Sequence, residues 1–249
     1  MNILVIDIGG TNVKVWKTGE GDCEKISSGK KLTARRLVDR VKLIAEDWPY
    51  ERVSMGYPGK VHHGRPAEDP YNLGPGWVAF DWSSAFSCPL RIMNDACMQA
   101  LGSYEGGRML YLGLGTGIGT AFIFDGKIAP LALGHLQFRD GEDFGHYLSR
   151  KGLKLHGAKD WRQAVVEAGR TLQAAFLADY VVFGGGNAKK LGDLPDGFRR
   201  GGNHNAYFGG LRMWEDGQSA DAPRLTLLQP DDVCETLTPG AQAAAQSGP

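Results

Sequence analysis

The feature that most constrains the fold is an internal repeat of two strand, glycine turn and strand units. Residues 3–16 (ILVIDIGGTNVKVW) share their layout with residues 109–122 (MLYLGLGTGIGTAF). The matched positions include Asp7 with Gly113, Gly9 with Gly115, and Gly10 with Thr116. Each unit is predicted to form a β-hairpin with a polar, glycine-containing tip. Two such units about a hundred residues apart predict a duplicated domain whose hairpins face each other.

The rest of the chain alternates between strand and helix patterns, which is typical of an α/β protein. A helix is predicted to begin after Thr33 and to stop before Pro49, and another is predicted from Asp160. Strands are predicted at 52–57, 90–93 and 180–183, and residues 58–82 form a predicted long loop of the kind that commonly binds a ligand. Helices are also expected at 96–104 and from Ala188, and residues 228–249 are expected to form a flexible tail.

The charge balance and the cysteines exclude several classes of protein. Lys plus Arg equals Asp plus Glu at 28 each, so no global field favours nucleic acid or an anionic membrane. No segment reaches the ~20 apolar residues of a membrane span, and the N-terminus lacks the pattern of a signal peptide. The scattered cysteines argue against a zinc cluster and a disulfide framework, which suggests a reducing cytoplasm: Cys23, Cys88, Cys97 and Cys234.

The two hairpin tips are candidate phosphate sites, because backbone N–H groups of glycine-rich turns can approach an anion closely. The candidate phosphate ligands are Gly9, Gly10, Thr11, Asn12, Lys14, Gly115, Thr116 and Gly117. Glycines are also common in strand connections that bind nothing, and Lys14 could simply be a solvated strand residue. Neither tip matches the phosphate loop G-x-x-x-x-G-K-[ST] or the dinucleotide-binding glycine fingerprint.

A third glycine turn follows the strand at 180–183. Here Gly184, Gly185, Gly186 and Asn187 could let a nucleotide lie against the backbone. The alternative is a tight connection between a strand and a helix, with no ligand.

Two aspartates end predicted strands and are candidates for chemistry. Asp7 could hold Mg²⁺ directly or through water, or it could only stabilise the turn. Asp95 is placed to accept a proton from a hydroxyl that attacks phosphorus, while Asn94 hydrogen-bonds a neighbouring hydroxyl. An Asn-Asp helix cap is the alternative explanation of this pair.

Two further segments could contact a ligand, although the sequence leaves both open. A lone histidine such as His135 is more often structural than functional. The loop around Asn72, Trp77 and Trp82 could stack on a sugar, or the tryptophans could pack beneath the loop.

Five motifs occur in the order seen in ROK-family sugar kinases, and the chain resembles their polyphosphate glucokinase-like branch. The motifs are Asp7 to Lys14 (DIGGTNVK), Asn94-Asp95, Gly113 to Gly119 (GLGTGIG), Leu133 to His135 (LGH), and Phe183 to Asn187 (FGGGN). The resemblance covers roughly residues 3–215.

This resemblance implies an actin-like fold of two RNase H-like domains with a central cleft, at 1–93 and 94–227. It also implies ATP or polyphosphate as donor, Mg²⁺ as cofactor, and a sugar 6-hydroxyl, most simply that of glucose, as acceptor. By the same resemblance Asp95 is the base, Asn94 and His135 contact the sugar, Gly10, Thr11, Thr116 and Gly117 surround the phosphates, and Gly185 and Gly186 border the adenosine. Homodimers are common in the family.

The sequence departs from the family pattern at two places. Ala132 stands where the family usually has a sugar-binding Glu, and the zinc-binding cysteine cluster is absent, as in the polyphosphate-using branch. Glu142 or Asp143 could supply a replacement sugar contact. Because of Ala132, a catalytically weak sugar or nucleotide sensor is an alternative function, and a kinase of a non-sugar molecule, such as a pantothenate kinase, is another.

Overall fold

The computed structural model describes residues 1–19, 23–202, 204–215 and 226–228, and for 226 and 227 it describes the backbone alone. Most of the predicted tail at 228–249 and Cys234 therefore lie outside the described residues. None of the described helices is long and apolar enough to cross a membrane.

The first sheet contains the N-terminal hairpin. Its strands are β1 (Ile3–Ile8), β2 (Asn12–Lys17), β3 (Glu24–Ser27), β4 (Arg52–Tyr57) and, after the two-residue strands β5 (Val61–His62) and β6 (Arg65–Pro66), β7 (Leu90–Asn94). The order is β3-β2-β1-β4-β7. Strands β1 to β3 pair antiparallel, whereas β4 pairs parallel with β1 and β7.

The second sheet repeats this arrangement. It contains β8 (Met109–Leu114), β9 (Ile118–Phe124), β10 (Lys127–Leu131) and, after the small hairpin of β11 (Gln137–Arg139) and β12 (Glu142–Asp143), β13 (Tyr180–Gly184), β14 (Phe198–Arg200) and β15 (Thr226–Leu227). The order β10-β9-β8-β13-β14 has the same sequence of antiparallel and parallel pairs as the first sheet, and β15 adds to its β10 edge. The predicted duplication is confirmed.

In the described part of the chain, five helices accompany the sheets: α1 (Ala34–Ile44), α2 (Asp95–Ser103), α3 (Phe144–Tyr147), α4 (Arg150–Ala175) and α5 (Asn205–Arg212). As predicted, Thr33 caps α1, where its side chain accepts a hydrogen bond from the Arg36 backbone N–H at 3.4 Å. The 3₁₀ turns are Leu133–His135 and Ala188–Lys190, so the helix expected from Ala188 is a single short turn.

The alternation of side chains along each strand divides the core into layers. Leu4, Ile6 and Ile8 point to the face of the first sheet covered by α1, while Ile3 and Val5 point to α2 and α5. In the second sheet, Leu110 to Leu114 likewise alternate between a face covered by α4 and a face covered by α2 and α5. Helices α2 and α5 therefore form a central layer shared by both sheets.

The two central helices touch through glycine. A Cβ atom at Gly209 would lie 1.8 Å from the Met98 carbonyl oxygen, and one at Gly102 would lie 1.8 Å from the Asn205 carbonyl oxygen. Such distances mean that the two helix backbones are in direct contact. The Ser54 hydroxyl of β4 also donates to the Gly210 carbonyl at 2.6 Å, which fixes α5 to the first sheet.

The structure changes the prediction for the helix from Asp160 and decides between the two explanations of the tryptophans in the 58–82 loop. The non-helical Gly157, with a φ of 78°, divides α4 into two helical segments. The helix predicted from Asp160 corresponds to the second segment, and the sequence prediction missed the first, which begins at Arg150 after the buried cap Ser149. The tryptophans of the 58–82 loop pack in the core and are not available to stack on a ligand, since Trp77 is 0% and Trp82 is 6% exposed.

The division into domains at 1–93 and 94–227 stays a proposal, and the boundary would fall at the end of β7.

Candidate active site

The tips of the two long hairpins lie next to each other, as predicted. A Cβ atom at Gly10 would lie 3.1 Å from the Thr116 hydroxyl oxygen. Each tip is closed by its own backbone bond: Gly9 N–H donates to the Asn12 carbonyl at 3.1 Å, and Gly115 N–H donates to the Gly117 carbonyl at 3.0 Å. Gly10, Thr11, Asn12, Thr116 and Gly117 are exposed. The paired tips thus present two glycine turns to one region of solvent.

The third glycine turn packs against the second hairpin. The Asn187 backbone N–H donates to the Leu114 carbonyl at 3.0 Å, and its side-chain amide donates to the Gly115 carbonyl at 3.4 Å. Gly185 has a φ of 75°, and a Cβ atom there would lie 2.6 Å from the Leu114 carbonyl oxygen. Packing alone therefore accounts for Gly185, whereas Gly186 is exposed with open space around it. The nucleotide role of this turn stays a proposal.

Asp7 lies beneath the first tip because of the strand period. Ile3 and Val5 face the central helices, so Asp7, two residues on, faces the same way toward the N-terminus of α2. It is 5% exposed, and its Oδ1 atom has no hydrogen-bond partner among the described residues. Its other oxygen, Oδ2, lies 4.0 Å from the Lys14 ammonium.

Asn94 and Asp95 stand where β7 gives way to α2. The Asn94 side-chain oxygen accepts hydrogen bonds from the backbone N–H groups of Ala96 and Cys97 at 3.0 and 3.2 Å, so the helix-cap explanation is realised. Its amide group donates to the Gly59 carbonyl at 3.1 Å. Asp95 is the first residue of α2 and is partly buried.

Burial raises the pKa of both aspartates, and the charge of Asp7 raises that of Asp95 further. Burial raises the pKa of Asp7 to about 6, and the nearby Lys14 lowers it in part. Burial, followed by repulsion from Asp7, raises the pKa of Asp95 to about 7. A carboxyl group with a pKa near neutrality can exchange a proton at physiological pH, which is the property required of a general base.

Because burial disfavours the ionised carboxylate of Asp7, we expect Asp7→Asn to stabilise the fold at pH 8. Because the folded-state pKa of Asp7 lies above 3.8, the folded protein binds the proton more tightly, and wild-type stability falls as pH rises from 3.8 to about 6. Neutral Asn removes this cost, so the melting temperature should rise by about 5 °C at pH 8 and change little at pH 4. Thermal unfolding at both pH values measures it.

The exposed Asp39→Asn in α1 is the matched control and should change neither melting temperature. An equal gain for Asp7→Asn at both pH values would contradict the ionisation as its cause.

The structure brings the other predicted sugar ligands together only in part. His135 is exposed on its 3₁₀ turn, which packs beside the second hairpin, since a Cβ atom at Gly134 would lie 2.7 Å from Ile118. Glu142 is already engaged, because His146 and His156 hold its two oxygens at 3.1 and 3.3 Å. Asn72 is exposed in the 58–82 loop.

The sequence reasoning missed Arg150, the first residue of α4. Its backbone N–H donates to the Gly115 carbonyl at 2.9 Å, and its guanidinium Nη2 donates to the Thr11 hydroxyl at 3.4 Å. One residue therefore touches both hairpin tips. The available signal was Ser149, a typical helix cap, which would have placed the start of α4 at this position.

The site also has features suited to a divalent cation. Asp7 Oδ1 is buried without a hydrogen-bond partner among the described residues. A bound cation would stabilise the ionised forms of Asp7 and Asp95, whose pKa values are raised. No group of three or more metal-binding side chains occurs among the described residues. Mg²⁺ usually needs only one or two carboxylates together with substrate phosphates, so this donor set fits it.

Comparison with known proteins finds sequence similarity to polyphosphate glucokinases. No family model matches the chain. A polyphosphate glucokinase of Mycobacterium leprae is 26% identical over 207 residues, which cover 74% of this chain and 63% of that protein. The chain thus spans less than two thirds of the length of this relative.

Solved structures share the fold. The inorganic polyphosphate/ATP-glucomannokinase from Arthrobacter sp. strain KM superposes with a TM-score of 0.72 at 24% identity, covering 85% of this chain and 97% of that one. A ROK family glucokinase from Streptomyces griseus, solved with glucose and AMPPNP, superposes with a TM-score of 0.64 at 17% identity, covering 86% and 99%. The predicted actin-like α/β fold class is confirmed. Together with the motifs, these similarities confirm the resemblance: this chain is similar to polyphosphate glucokinases in sequence and to ROK-family sugar kinases in fold.

Proposed function

We propose that this chain is a sugar kinase that transfers the terminal phosphoryl group of ATP or polyphosphate to a hexose hydroxyl, with the 6-hydroxyl of glucose as the first candidate. The observation that carries this proposal is the position of Asp95. Its carboxyl group, with a pKa of about 7, stands at the N-terminus of the helix that packs between the two sheets, and the charge of Asp7 beneath the first hairpin tip helps to raise that pKa.

In the proposed reaction Asp95 is the general base. Its carboxylate takes the proton of the attacking sugar hydroxyl, whose oxygen forms a bond to the terminal phosphorus as the bond between phosphorus and the donor oxygen breaks. The released electron pair stays on the donor phosphate. Closure of the cleft would exclude water and align the reacting oxygen with phosphorus.

The glycine turns are proposed to hold the donor. The two hairpin tips, with Lys14, would bind its phosphates, and the turn of Gly184 to Asn187 would border the adenosine when ATP is the donor. The similarity to proteins named for polyphosphate and for ATP supports both donors. Asp7 would hold Mg²⁺ directly or through water, and the ion would supply positive charge to neutralise the donor phosphates.

The sugar is proposed to lie beside Asp95. Asn94 uses one amide hydrogen on Gly59 and keeps the second, which could donate to a sugar hydroxyl. His135, Asn72 and Glu142 complete the proposed contacts, although Glu142 would first have to exchange a histidine partner. A homodimeric state and a cytoplasmic location stay predictions.

Ala132→Glu is expected to lower the KM for the sugar about tenfold. Ala132 is exposed at the start of the 3₁₀ turn that carries His135, so a carboxylate there could accept hydrogen bonds from sugar hydroxyls. Steady-state kinetics at saturating donor measures the change. Ala132→Gln is the matched control for side-chain size, and an equal gain in the Gln variant would contradict a role for the charge.

The proposed function itself is tested by phosphoryl transfer with Mg²⁺, using ATP and polyphosphate in parallel over a panel of hexoses, amino sugars and non-sugar alcohols. Turnover on a hexose that falls about 10²-fold or more in Asp95→Asn supports the proposal and identifies donor and acceptor together. Turnover only on a non-sugar acceptor, or none with any pair, would overturn it.

A further inference from the structure

Arg150 occupies a position that no capping or packing requirement explains. The cap of α4 is the buried Ser149, whose hydroxyl already accepts hydrogen bonds from the backbone N–H groups of Lys151 and Gly152 at 3.2 and 3.4 Å. The Arg150 side chain is exposed, so it contributes no apolar core. Its guanidinium nevertheless reaches the Thr11 hydroxyl of the first tip at 3.4 Å, while its backbone N–H is bound to Gly115 of the second tip.

The local electrostatics weakly disfavour an arginine at this position in the absence of an anion. The N-terminus of a helix carries a partial positive charge, which repels a basic residue in the first turn. Among the described residues Arg150 forms no ion pair with a carboxylate, whereas Lys14, the other cation at these tips, lies 4.0 Å from Asp7. Residues that oppose the local preference of their element often serve a site.

The surroundings of Arg150 indicate what this anion is. The guanidinium reaches the exposed Thr11, and the preceding residue in the chain, Gly10, lies against Thr116 of the second tip. A planar guanidinium presents paired N–H donors that match two oxygens of one phosphoryl group, and it stays protonated at all relevant pH values.

We propose that Arg150 is a donor-binding residue that holds the terminal phosphoryl group of the donor between the two hairpin tips. The proposal rests on the proposed kinase function and adds a residue to it. Arg150 exchanges no proton, and its charge offsets the negative charge that stays on the phosphoryl oxygens while the bond to the donor oxygen breaks.

The test is direct binding, which does not depend on turnover. Calorimetry with Mg²⁺ would measure the affinity of the wild type, Arg150→Gln and Arg150→Lys for AMPPNP and for tripolyphosphate. Arg150→Gln is expected to weaken both ligands about tenfold or more, and Arg150→Lys should recover part of the loss because it keeps the charge without the paired donors. Arg170→Gln is the matched control, since Arg170 is exposed further along α4.

The outcomes separate this inference from the proposed function. Wild-type affinity of Arg150→Gln for both ligands would overturn it, as would failure of the wild type to bind either one. Tight wild-type binding that is lost in Arg150→Gln supports it even if no sugar is phosphorylated. If turnover occurs, the donor KM or kcat should change in Arg150→Gln while the sugar KM does not, and a change in the sugar KM alone would also overturn the assignment.

Discussion

Asp95→Asn is expected to lower turnover by about 10²- to 10⁴-fold, the usual contribution of a general base. The amide cannot accept the proton of the sugar hydroxyl, yet it keeps the size and most hydrogen bonds of the carboxyl group, including acceptance from the Ala96 backbone N–H. The measurement is the steady-state rate with saturating sugar and donor. The melting temperature of the variant at pH 8 should be at or above that of the wild type, because burial and Asp7 disfavour the ionised Asp95.

The pH dependence provides a second readout of the same change. Only the ionised carboxylate can act as the base, and with a pKa of about 7 wild-type turnover should fall as pH drops below that value. The residual turnover of Asp95→Asn should not share this inflection. Asp39→Asn in α1 is the control, and wild-type rates in Asp95→Asn would remove Asp95 as the base.

Gly209→Ala is expected to destabilise the protein by more than about 3 kcal/mol, beyond the usual cost of overpacking. The added Cβ atom would meet the Met98 carbonyl oxygen at 1.8 Å, and that oxygen is backbone, so no side-chain rotation relieves the contact. Intrinsic helix propensity alone would predict the opposite effect on the free energy of unfolding, because it favours Ala over Gly by about 1 kcal/mol. Thermal or denaturant unfolding measures it.

Gly186→Ala is the matched control, because a Cβ atom at Gly186 meets nothing within 4 Å. That variant should unfold at the wild-type temperature. If Gly209→Ala proved as stable as the wild type, the close crossing of α2 and α5 would be incorrect.

The hairpins were predictable because their pattern is local. Apolar residues on both sides of a glycine turn predict paired strands, and the repeat at 109–122 predicts that the arrangement occurs twice. The start of α4 was not predictable from periodicity, because Gly157 interrupts the pattern and the helical face is clear only from Trp161 onward. The contact between Gly102 and Gly209 depends on tertiary packing, since nothing near either residue in the sequence indicates its neighbour.

In the candidate site, too, the features with a local sequence pattern were predictable and those that depend on tertiary structure were not. Asp7 and Asp95 could be proposed from their positions at strand ends, because such ends carry side chains into a site. The effect of Asp7 on the pKa of Asp95 could not, since it depends on a fold that brings residues 88 positions apart into one electrostatic environment. Glu142 was proposed as a sugar ligand because Ala132 lacks the carboxylate of the family pattern, and its two histidine partners appear only in three dimensions.

The central layer of α2 and α5 also determines how cooperatively the protein should unfold. The hydrophobic cluster around these helices takes Ile3 and Val5 from the first sheet and Met109 and Tyr111 from the second. If either sheet unfolded alone, it would leave the apolar face of the helix pair exposed to water, a large loss of buried surface for the half that remained. The two halves are therefore coupled into one cooperative thermodynamic unit, in which melting of either sheet carries the other with it.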